Sequence, residues 1–346
     1  MDMTVNNIST ILRTTSDVLF FDGAMGTELE KRGVDVSNPL WSTIALLNNP
    51  STIKEIHMDY LKSGSNILIT STYQTSIRGL IQYDKLYFSV KQNCDDVINK
   101  SVELANNAKI EYLQNQIQNQ IQNQKTIKPL FIAGSIGPYG AFLSDGSEYT
   151  GNYGDISIGE LKKFHYERLK LLILNKNCDF LILETMPNFL EIKVLTELIE
   201  VDLKQKLSVN KPYILSVSIK DPYHLADGTS ISLVTDYLNN KNFFDDGNLI
   251  SIGSNCLPLK NSVSFIKNLK NAIPDGFPIS IYPNSGEIYD GVKKSWSPDS
   301  EILGKEKLDQ YKLENISKTW VTNGARIIGG CCRVGPQDIK RIVSSF

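Results

Sequence analysis

The sequence has few of the features that would direct a protein to a membrane or a nucleic acid. None of its apolar runs approaches the roughly 20 residues that a membrane-spanning helix needs, and the N-terminus lacks the apolar core of a signal peptide. Its 36 basic and 38 acidic residues give a formal net charge of -2, which offers no basic surface to a polyanion. We therefore expect a cytosolic protein with neither a nucleic-acid nor a membrane partner.

Histidine and cysteine are also scarce, with three and five residues in the chain. His57, His165 and His224 lie among polar neighbours, so we expect them on helix surfaces or in loops. No histidine ends a predicted strand, where it could act as acid or base beside a metal, which argues against a zinc hydrolase or deaminase. Five cysteines is an odd number that fits free or metal-bound thiols better than a disulfide framework. Cys94 and Cys178 lie in helical or pre-strand segments, where we expect packing or surface roles.

No G-x-G-x-x-G fingerprint follows the first strand-like run, which makes a doubly wound nucleotide-binding sheet the weaker alternative. The chain instead has eight short runs that are rich in β-branched and aromatic residues. These runs cover residues 18–26, 66–74, 129–137, 180–188, 213–219, 249–256, 278–286 and 325–332. Segments with helical spacing separate them, such as 49–64, 157–177 and 188–202. Eight alternating units predict a parallel sheet closed into one (β/α)₈ TIM barrel, a single α/β domain over residues 1–346.

One segment interrupts this alternation. Residues 112–128 repeat Ile-Gln-Asn-Gln and carry almost no charge, so they form a low-complexity insert between the second helix and the third strand. We expect a solvated helix extension or a disordered loop at the N-terminal rim of the barrel, with a specific interaction role as the alternative.

Near its end the chain reads "ARIIGGCCRVGP", with Cys331 next to Cys332 at the tip of an apolar run. Adjacent cysteines can form a strained vicinal disulfide, act as two small buried apolar groups, or offer two thiolates to one metal. In a regular strand their side chains would point to opposite faces, so one metal can bind both only if the strand ends there. Glycines at 329, 330 and 335, with Pro336, predict that end.

Polar residues cluster where the predicted strands end. They are Asp22, Gly23, Ser71, Thr72, Tyr73, Glu184, Asn255, Cys256, Asn284, Ser285, Cys331 and Cys332. The C-terminal ends of barrel strands face one mouth, where the chemistry of such folds takes place. Cys256, Cys331 and Cys332 are therefore predicted to meet there, and three thiolates without a fourth protein ligand are typical of a catalytic zinc site with an open position.

The motifs "DGAMGTELEKRG", "GSNILITSTYQTS", "GSIGPYGAFLSDGSEYTGNYG", "ETMPN", "GSNC", "YPNSGE" and "GGCCR" together resemble the homocysteine S-methyltransferase family. The likeness spans about residues 18 to 345 and is strongest to the short members that use S-methylmethionine as methyl donor. It implies a zinc-dependent enzyme with Cys256, Cys331 and Cys332 as metal ligands. Zinc would convert the thiol of homocysteine into the nucleophilic thiolate, and methionine would be the product.

The resemblance also implies substrate contacts. Asp22 and Gly23 match the turn that contacts the amino acid end of homocysteine, and Glu184 matches a carboxylate that binds its ammonium group. Trp41 and Tyr73 match aromatic positions near the methyl donor, and an aromatic face attracts a sulfonium as it does other soft cations. Thr72, beside Tyr73 at the same strand end, is a further expected substrate contact.

Several alternatives stay open at this point. The donor is S-methylmethionine or S-adenosylmethionine, with betaine and methylfolate as rivals that the short C-terminus disfavours. The acceptor could be a selenium amino acid, and a non-catalytic zinc-binding barrel is a rival from another functional class. The chain lacks an extra C-terminal arm, so we also expect a monomer.

Overall fold

Twelve strands form in the computed structural model, which describes residues 7–37, 40–123, 128–290, 295–298 and 309–346. They are β1 Leu19–Phe20, β2 Ile67–Ile69, β3 Phe131–Ile136, β4 Phe180–Met186, β5 Tyr213–Val217, β6 Ile219–Asp221, β7 His224–Leu225, β8 Leu249–Asn255, β9 Ile279–Tyr282, β10 Glu287–Asp290, β11 Ser295–Pro298 and β12 Ala325–Ile328. Eight of them, one inside each predicted run, pair in parallel in the order β1-β12-β9-β8-β5-β4-β3-β2.

The two ends of this sheet meet. A parallel bridge joins Phe21 to Ile67, and the amide of Asp22 donates to the carbonyl of Ile67 over 3.0 Å. The sheet is therefore a closed barrel, as predicted, and the doubly wound alternative is wrong. The sequence patterns do not predict two antiparallel hairpins, β6 with β7 and β10 with β11, which follow barrel strands.

Helices connect the strands. They are α1 Ile8–Thr14, α2 Met25–Lys31, α3 Thr43–Asn48, α4 Pro50–Lys62, α5 Ile77–Tyr83, α6 Lys85–Phe88, α7 Lys91–Asn123, α8 Tyr139–Leu143, α9 Ile158–Leu174, α10 Phe189–Glu197, α11 Lys204–Leu207, α12 Ile231–Asn240, α13 Ser262–Lys270, α14 Leu313–Thr322 and α15 Pro336–Val343. The three helical segments predicted from spacing contain α4, α9 and α10, and α10 continues as a π-helix from Leu198 to Leu203.

Side chains alternate between the two faces of each barrel strand. In β4, Phe180 and Ile182 point into the barrel and Leu181 and Leu183 pack against the outer helices. Helix α1 contributes Ile8, Ile11 and Leu12 to the inner cluster, so it closes the N-terminal end of the barrel. The C-terminal end of the barrel is not closed by this helix, and the polar side chains lie there.

The Gln/Asn-rich insert extends a helix. α7 continues through the start of this insert to Asn123, and the side chains of residues 111–118 are exposed or half-buried. Residues 124–127 lie outside the described part of the chain. None of the helices in that described part is both long and apolar enough to cross a bilayer.

The close approach of β8 and β9 generates a stability prediction. A Cβ on Gly253 would lie 1.7 Å from the carbonyl oxygen of Ser280, its partner in the sheet. Gly253→Ala should force the strands apart and lower the free energy of unfolding by about 2–3 kcal/mol. Gly159→Ala, where the nearest atom would be 4.0 Å away on the exposed start of α9, should not destabilise. Urea denaturation measures both, and equal midpoints would contradict the prediction.

Candidate metal and substrate site

The sulfur atoms of Cys256, Cys331 and Cys332 lie together at the C-terminal mouth of the barrel. The Sγ atoms of Cys256 and Cys332 are 3.6 Å apart, those of Cys331 and Cys332 are 4.0 Å apart, and all three lie within 4.8 Å of one another. Two strands position them, because Cys256 directly follows β8 and the adjacent pair follows β12.

The adjacent cysteines can face one point because their strand has already ended. β12 stops at Ile328, and the amide of Val334 donates to the carbonyl of Cys331 over 3.1 Å, which closes a turn. Two further bonds attach this turn to the end of β9: Cys331 N to Pro283 O at 2.8 Å and Ser285 N to Cys332 O at 3.2 Å. All five cysteines are free thiols, so a vicinal disulfide is not formed.

This thiol cluster fits a tetrahedral zinc ion. With Zn–S bonds of about 2.3 Å, tetrahedral angles separate two sulfurs by roughly 3.8 Å, between the two observed separations. Hydrogen bonds from Cys331 and Cys332 lower the pKa of Cys256 well below its usual value, so one thiolate forms readily. Three thiolates at this spacing need a cation between them. Among the described residues, no other set of His, Cys, Asp and Glu is close enough to share an ion.

Glu184 lies beside the thiols on the inner face of β4, two residues after Ile182. The side chain is 9% exposed, and its Oε2 accepts a hydrogen bond from the hydroxyl of Ser135 over 2.7 Å. Burial, helped by the nearby Cys331, raises the pKa of Glu184 to about 8. A buried carboxyl with so raised a pKa favours a cationic ligand, whose charge would stabilise the ionised form.

Asp22 is a second buried carboxyl, in the turn after β1. Its Oδ2 accepts from the amide of Ile69 over 2.9 Å, and its Oδ1 has no hydrogen-bond partner. Burial raises the pKa of Asp22 well above its usual value, and the negative charge of Glu184 adds to the shift. The hydroxyl of Ser71 is likewise buried without a partner. Unpartnered buried polar atoms at a mouth indicate groups that a ligand can satisfy.

His57 corrects the expectation of a surface histidine. It lies on α4, it is fully buried, and its Nδ1 is 4.0 Å from Oδ2 of Asp22. Neither ring nitrogen has a hydrogen-bond partner, and burial lowers the pKa of His57 to about 4, so the imidazole is neutral. The surface assignment was wrong because polar neighbours in sequence do not show which face of a helix a residue occupies.

Trp41 and Tyr73 form an aromatic wall at the mouth. Their ring centroids are 6.3 Å apart in an edge-to-face arrangement, and Trp41 has a left-handed backbone with φ of 46°. Thr72 lies behind this wall, where its hydroxyl bonds to Thr70 and to the carbonyl of Ser135, both over 2.7 Å. Gly23 continues the turn of Asp22. The geometry therefore gives Thr72 a bracing contact, whereas Trp41 and Tyr73 present ring surface.

Two further residues lie at the thiols, and only Tyr149 was not singled out from the sequence. The hydroxyl of Tyr149, from the segment between α8 and α9, is 3.8 Å from Sγ of Cys256. The side chain of Asn255 donates to Oγ1 of Thr185 over 2.7 Å, and its Nδ2 is 3.8 Å from Sγ of Cys331. Asn255 was expected at the mouth from its place at the end of β8, whereas no periodicity places Tyr149 there.

Outside the mouth, two expectations hold and one fails. Cys94 and Cys178 are buried in the core, so the packing role is confirmed. His165 is fully buried on α9, which contradicts the surface assignment, and its ring bonds to two charged side chains. His224 lies half-exposed in the hairpin of β6 and β7, as expected of a loop residue.

Comparison with known proteins gives consistent similarities over nearly the whole chain. Residues 19–346 match the family described as "Homocysteine S-methyltransferase". Homocysteine S-methyltransferase 2 of Zea mays is 37% identical, covering 94% of this chain and 88% of the relative. Homocysteine S-methyltransferase of Escherichia coli strain K12 is 36% identical, covering 98% and 99%. The crystal structure of the metallated form of the homocysteine methyltransferase MmuM from E. coli superimposes with a TM-score of 0.77 at 34% identity, covering 95% and 96%.

The raised pKa of Glu184 generates a pH prediction. Between the usual value of 4.5 and about 8, the folded protein holds a proton that the unfolded chain releases, so stability falls as pH rises through this window. Glu184→Gln removes that penalty. The metal-free variant should match wild type at pH 4 and be more stable by about 4–5 kcal/mol at pH 8.5, because each pH unit in this window costs the wild type about 1.4 kcal/mol. Thermal unfolding across this range measures the difference, with the exposed Glu103→Gln as control, and parallel curves for wild type and Glu184→Gln would contradict it.

Proposed function

Since this chain belongs to the homocysteine S-methyltransferase family, we propose that it transfers a methyl group from a sulfonium donor to the thiol of L-homocysteine at a zinc site. The donor is S-methylmethionine or S-adenosylmethionine, and the product is methionine. The observation that carries the proposal is the meeting of three thiols, two buried carboxyls and an aromatic wall at one barrel mouth.

The proposed zinc ligands are Cys256, Cys331 and Cys332. Their spacing suits a tetrahedral ion, and three protein ligands leave one position for the acceptor. A bound zinc ion would lower the pKa of the acceptor thiol and so supply the thiolate at neutral pH. The three cysteine thiolates carry more negative charge than the ion carries positive charge. A thiol bound at such a site would keep an electron-rich sulfur. The role of the zinc ion would therefore be to generate the nucleophilic thiolate rather than to withdraw electrons from it as a Lewis acid.

Asp22 and Glu184 are the proposed binders of the homocysteine ammonium group. Both are buried, both have raised pKa values, and Oδ1 of Asp22 is without a partner. An ammonium group between them would offset the desolvation of the ionised carboxylates. Gly23 is next to Asp22, and a Cβ there would lie 2.3 Å from the carbonyl oxygen of Val334, so glycine keeps this turn packed against the turn of the adjacent cysteines; the proposed contact of Gly23 with the amino acid end is through its backbone. These contacts would fix the acceptor sulfur relative to the thiols.

Trp41 and Tyr73 are the proposed donor side of the site. An aromatic face attracts a desolvated cation, and a sulfonium is a compact, weakly hydrated one. In the transfer, a new bond forms between the acceptor sulfur and the methyl carbon while the bond from that carbon to the donor sulfur breaks. The bonding pair stays on the donor sulfur, which leaves as a neutral thioether. The acceptor proton has already gone to solvent, so no general acid is required.

We also propose that residues 1–346 act as one homocysteine-binding domain and that the protein works as a monomer. The closed barrel gathers all the proposed site residues from its own strand ends and loops. The Gln/Asn-rich insert begins on α7, the helix that precedes β3, and the start of β3 lies at the N-terminal end of the barrel. In this proposal the insert therefore takes no part in the site.

The metal assignment gives a direct test. Cys256→Ala, Cys331→Ala and Cys332→Ala should each lose bound zinc and lower methionine formation at least a hundredfold, because two thiolates cannot complete the site. The barrel should stay folded, since its energy comes from the apolar core. Zinc is measured by atomic absorption, and methionine is measured with homocysteine and each candidate donor in turn.

Cys178→Ala is the matched control, because this cysteine is buried but far from the mouth and should keep its zinc. A mouth variant that keeps full zinc and full turnover would overturn the three-thiolate site. Wild-type protein that uses betaine or methylfolate but neither sulfonium compound would overturn the donor assignment alone.

The ammonium assignment is tested by the acceptor. Glu184→Gln keeps the shape of the side chain but removes its charge, and losing one partner of a desolvated ion pair costs about 3–5 kcal/mol. At about 1.4 kcal/mol per tenfold, kcat/KM for homocysteine should fall by a hundredfold or more, with zinc content unchanged. A simple thiol without the amino acid group should be methylated slowly, and equally, by both proteins. Equal losses for both thiols would instead indicate a bracing role for Glu184.

A further inference from the structure

Three charged or ionisable side chains are buried together between the barrel and its outer helices, away from the thiols. Arg168 and His165 lie on α9, and Glu191 lies on α10; they are 2%, 0% and 0% exposed. Nη2 of Arg168 is 2.7 Å from Nδ1 of His165, and Nε2 of His165 is 2.7 Å from Oε1 of Glu191. We call Arg168, His165 and Glu191 the buried triad.

The hydrogen bonds fix the state of the imidazole. The guanidinium of Arg168 can only donate, so Nδ1 of His165 accepts and Nε2 carries the proton that is donated to Glu191. Burial and the charge of Arg168 lower the pKa of His165 to about 4, so the ring stays neutral. Burial lowers the pKa of Arg168 only to about 10, so the guanidinium stays charged. The triad is thus a cation and an anion joined through a neutral donor–acceptor bridge.

On the arginine side, the triad holds the backbone that follows β2 and β3. Arg168 donates to the carbonyl of Thr75 over 3.4 Å and to the carbonyl of Gly137. The amide of Gly137 in turn donates to the carbonyl of Tyr73 over 3.1 Å. The position of Tyr73, one of the two rings of the aromatic wall, therefore depends on two carbonyl groups that the guanidinium anchors.

On the glutamate side, the triad holds the connection from β3 to α9. Oε1 of Glu191 accepts from the amide of Tyr139 over 2.6 Å, and Oε2 accepts from the hydroxyl of Tyr153 over 2.7 Å. Tyr153 belongs to the same connection as Tyr149, whose hydroxyl is 3.8 Å from Sγ of Cys256. Both carboxylate oxygens are occupied, so Glu191 has no capacity left for a substrate.

We propose that the buried triad positions the donor side of the active site, and that it sets the affinity for the methyl donor by holding Tyr73 and the segment 139–153. This rests on the proposed function, in which the donor lies against the aromatic wall. A buried ion pair contributes little net stability compared with apolar packing, but a hydrogen-bonded network fixes geometry, and in this one Nε of Arg168 is the side-chain nitrogen left without a partner. The triad joins two mouth loops to α9 and α10: the loop after β2, through Thr75, and the connection from β3 to α9, through Gly137, Tyr139 and Tyr153. Its members are positioning residues, because none reaches the reacting atoms.

The test compares two replacements of the bridge in the zinc-loaded protein. His165→Gln restores an acceptor toward Arg168 and a donor toward Glu191 from one amide, whereas His165→Leu offers neither. We expect His165→Leu to raise KM for the preferred sulfonium donor at least tenfold, with KM for homocysteine within twofold and zinc content unchanged. His165→Gln should return the donor KM to within about threefold of wild type.

Leu172→Ala on the same helix is the control for general destabilisation, because Leu172 is fully buried in the core cluster. It should lower the melting temperature without changing the ratio of the two KM values. An equal rise of both KM values in His165→Leu, or the same donor-specific rise in Leu172→Ala, would overturn the proposal.

Amide hydrogen exchange separates this proposal from the proposed function. In His165→Leu, exchange should accelerate at least tenfold at residues 73–75 and 137–153, with the barrel strands unchanged, while Leu172→Ala should not show this pattern. If the wild-type protein used no sulfonium donor, the proposed function would fail, and the exchange data would still decide whether the triad holds these loops. Unchanged exchange in His165→Leu would overturn the positioning role by itself.

Discussion

Negative charge gathered at the end of a closed barrel is the constraint on which the site depends. Three thiols, Asp22 and Glu184 share one mouth from which solvent is largely excluded, and burial together with nearby negative charge raises the cost of ionising both carboxyls. A mouth of this kind is stable in its ionised form only when cations enter it. The proposed occupants are all cationic at the points of contact: a divalent metal, an ammonium group and a sulfonium. The need to neutralise negative charge at the mouth therefore links the binding of the metal, the acceptor and the donor.

The buried triad, away from the mouth, balances most of its polarity internally. In the buried triad, opposite charges are joined through His165, and nearly every donor and acceptor has a protein partner. At the mouth the reverse holds, because Oδ1 of Asp22 and the hydroxyl of Ser71 are left without partners. This contrast distinguishes polar groups that shape the molecule from polar groups that await a ligand.

The fold and the meeting of the three cysteines were predictable because both follow from strand periodicity. Each strand-like run fixed one barrel strand, and parallel strands bring their C-terminal ends to one side, so Cys256 and the 331–332 pair had to converge. The burial of His57 and His165 was not predictable in this way, since polar neighbours in sequence do not show which face of a helix a residue occupies. Tyr149 was missed for a similar reason: it lies in an irregular segment whose path is set by tertiary contacts, such as the bond from Tyr153 to Glu191.

Helix α7 is much longer than the barrel strand that follows it. At about 1.5 Å per residue its 33 residues extend roughly 50 Å, far more than a six- or seven-residue strand requires. The extra turns lie toward the N-terminal end of the barrel, opposite the thiols. Residues added there or deleted from there would change the length of the helix and leave the spacing of the sulfurs unchanged. This part of α7 is a suitable place to attach a label or a second protein without disturbing the chemistry at the thiols.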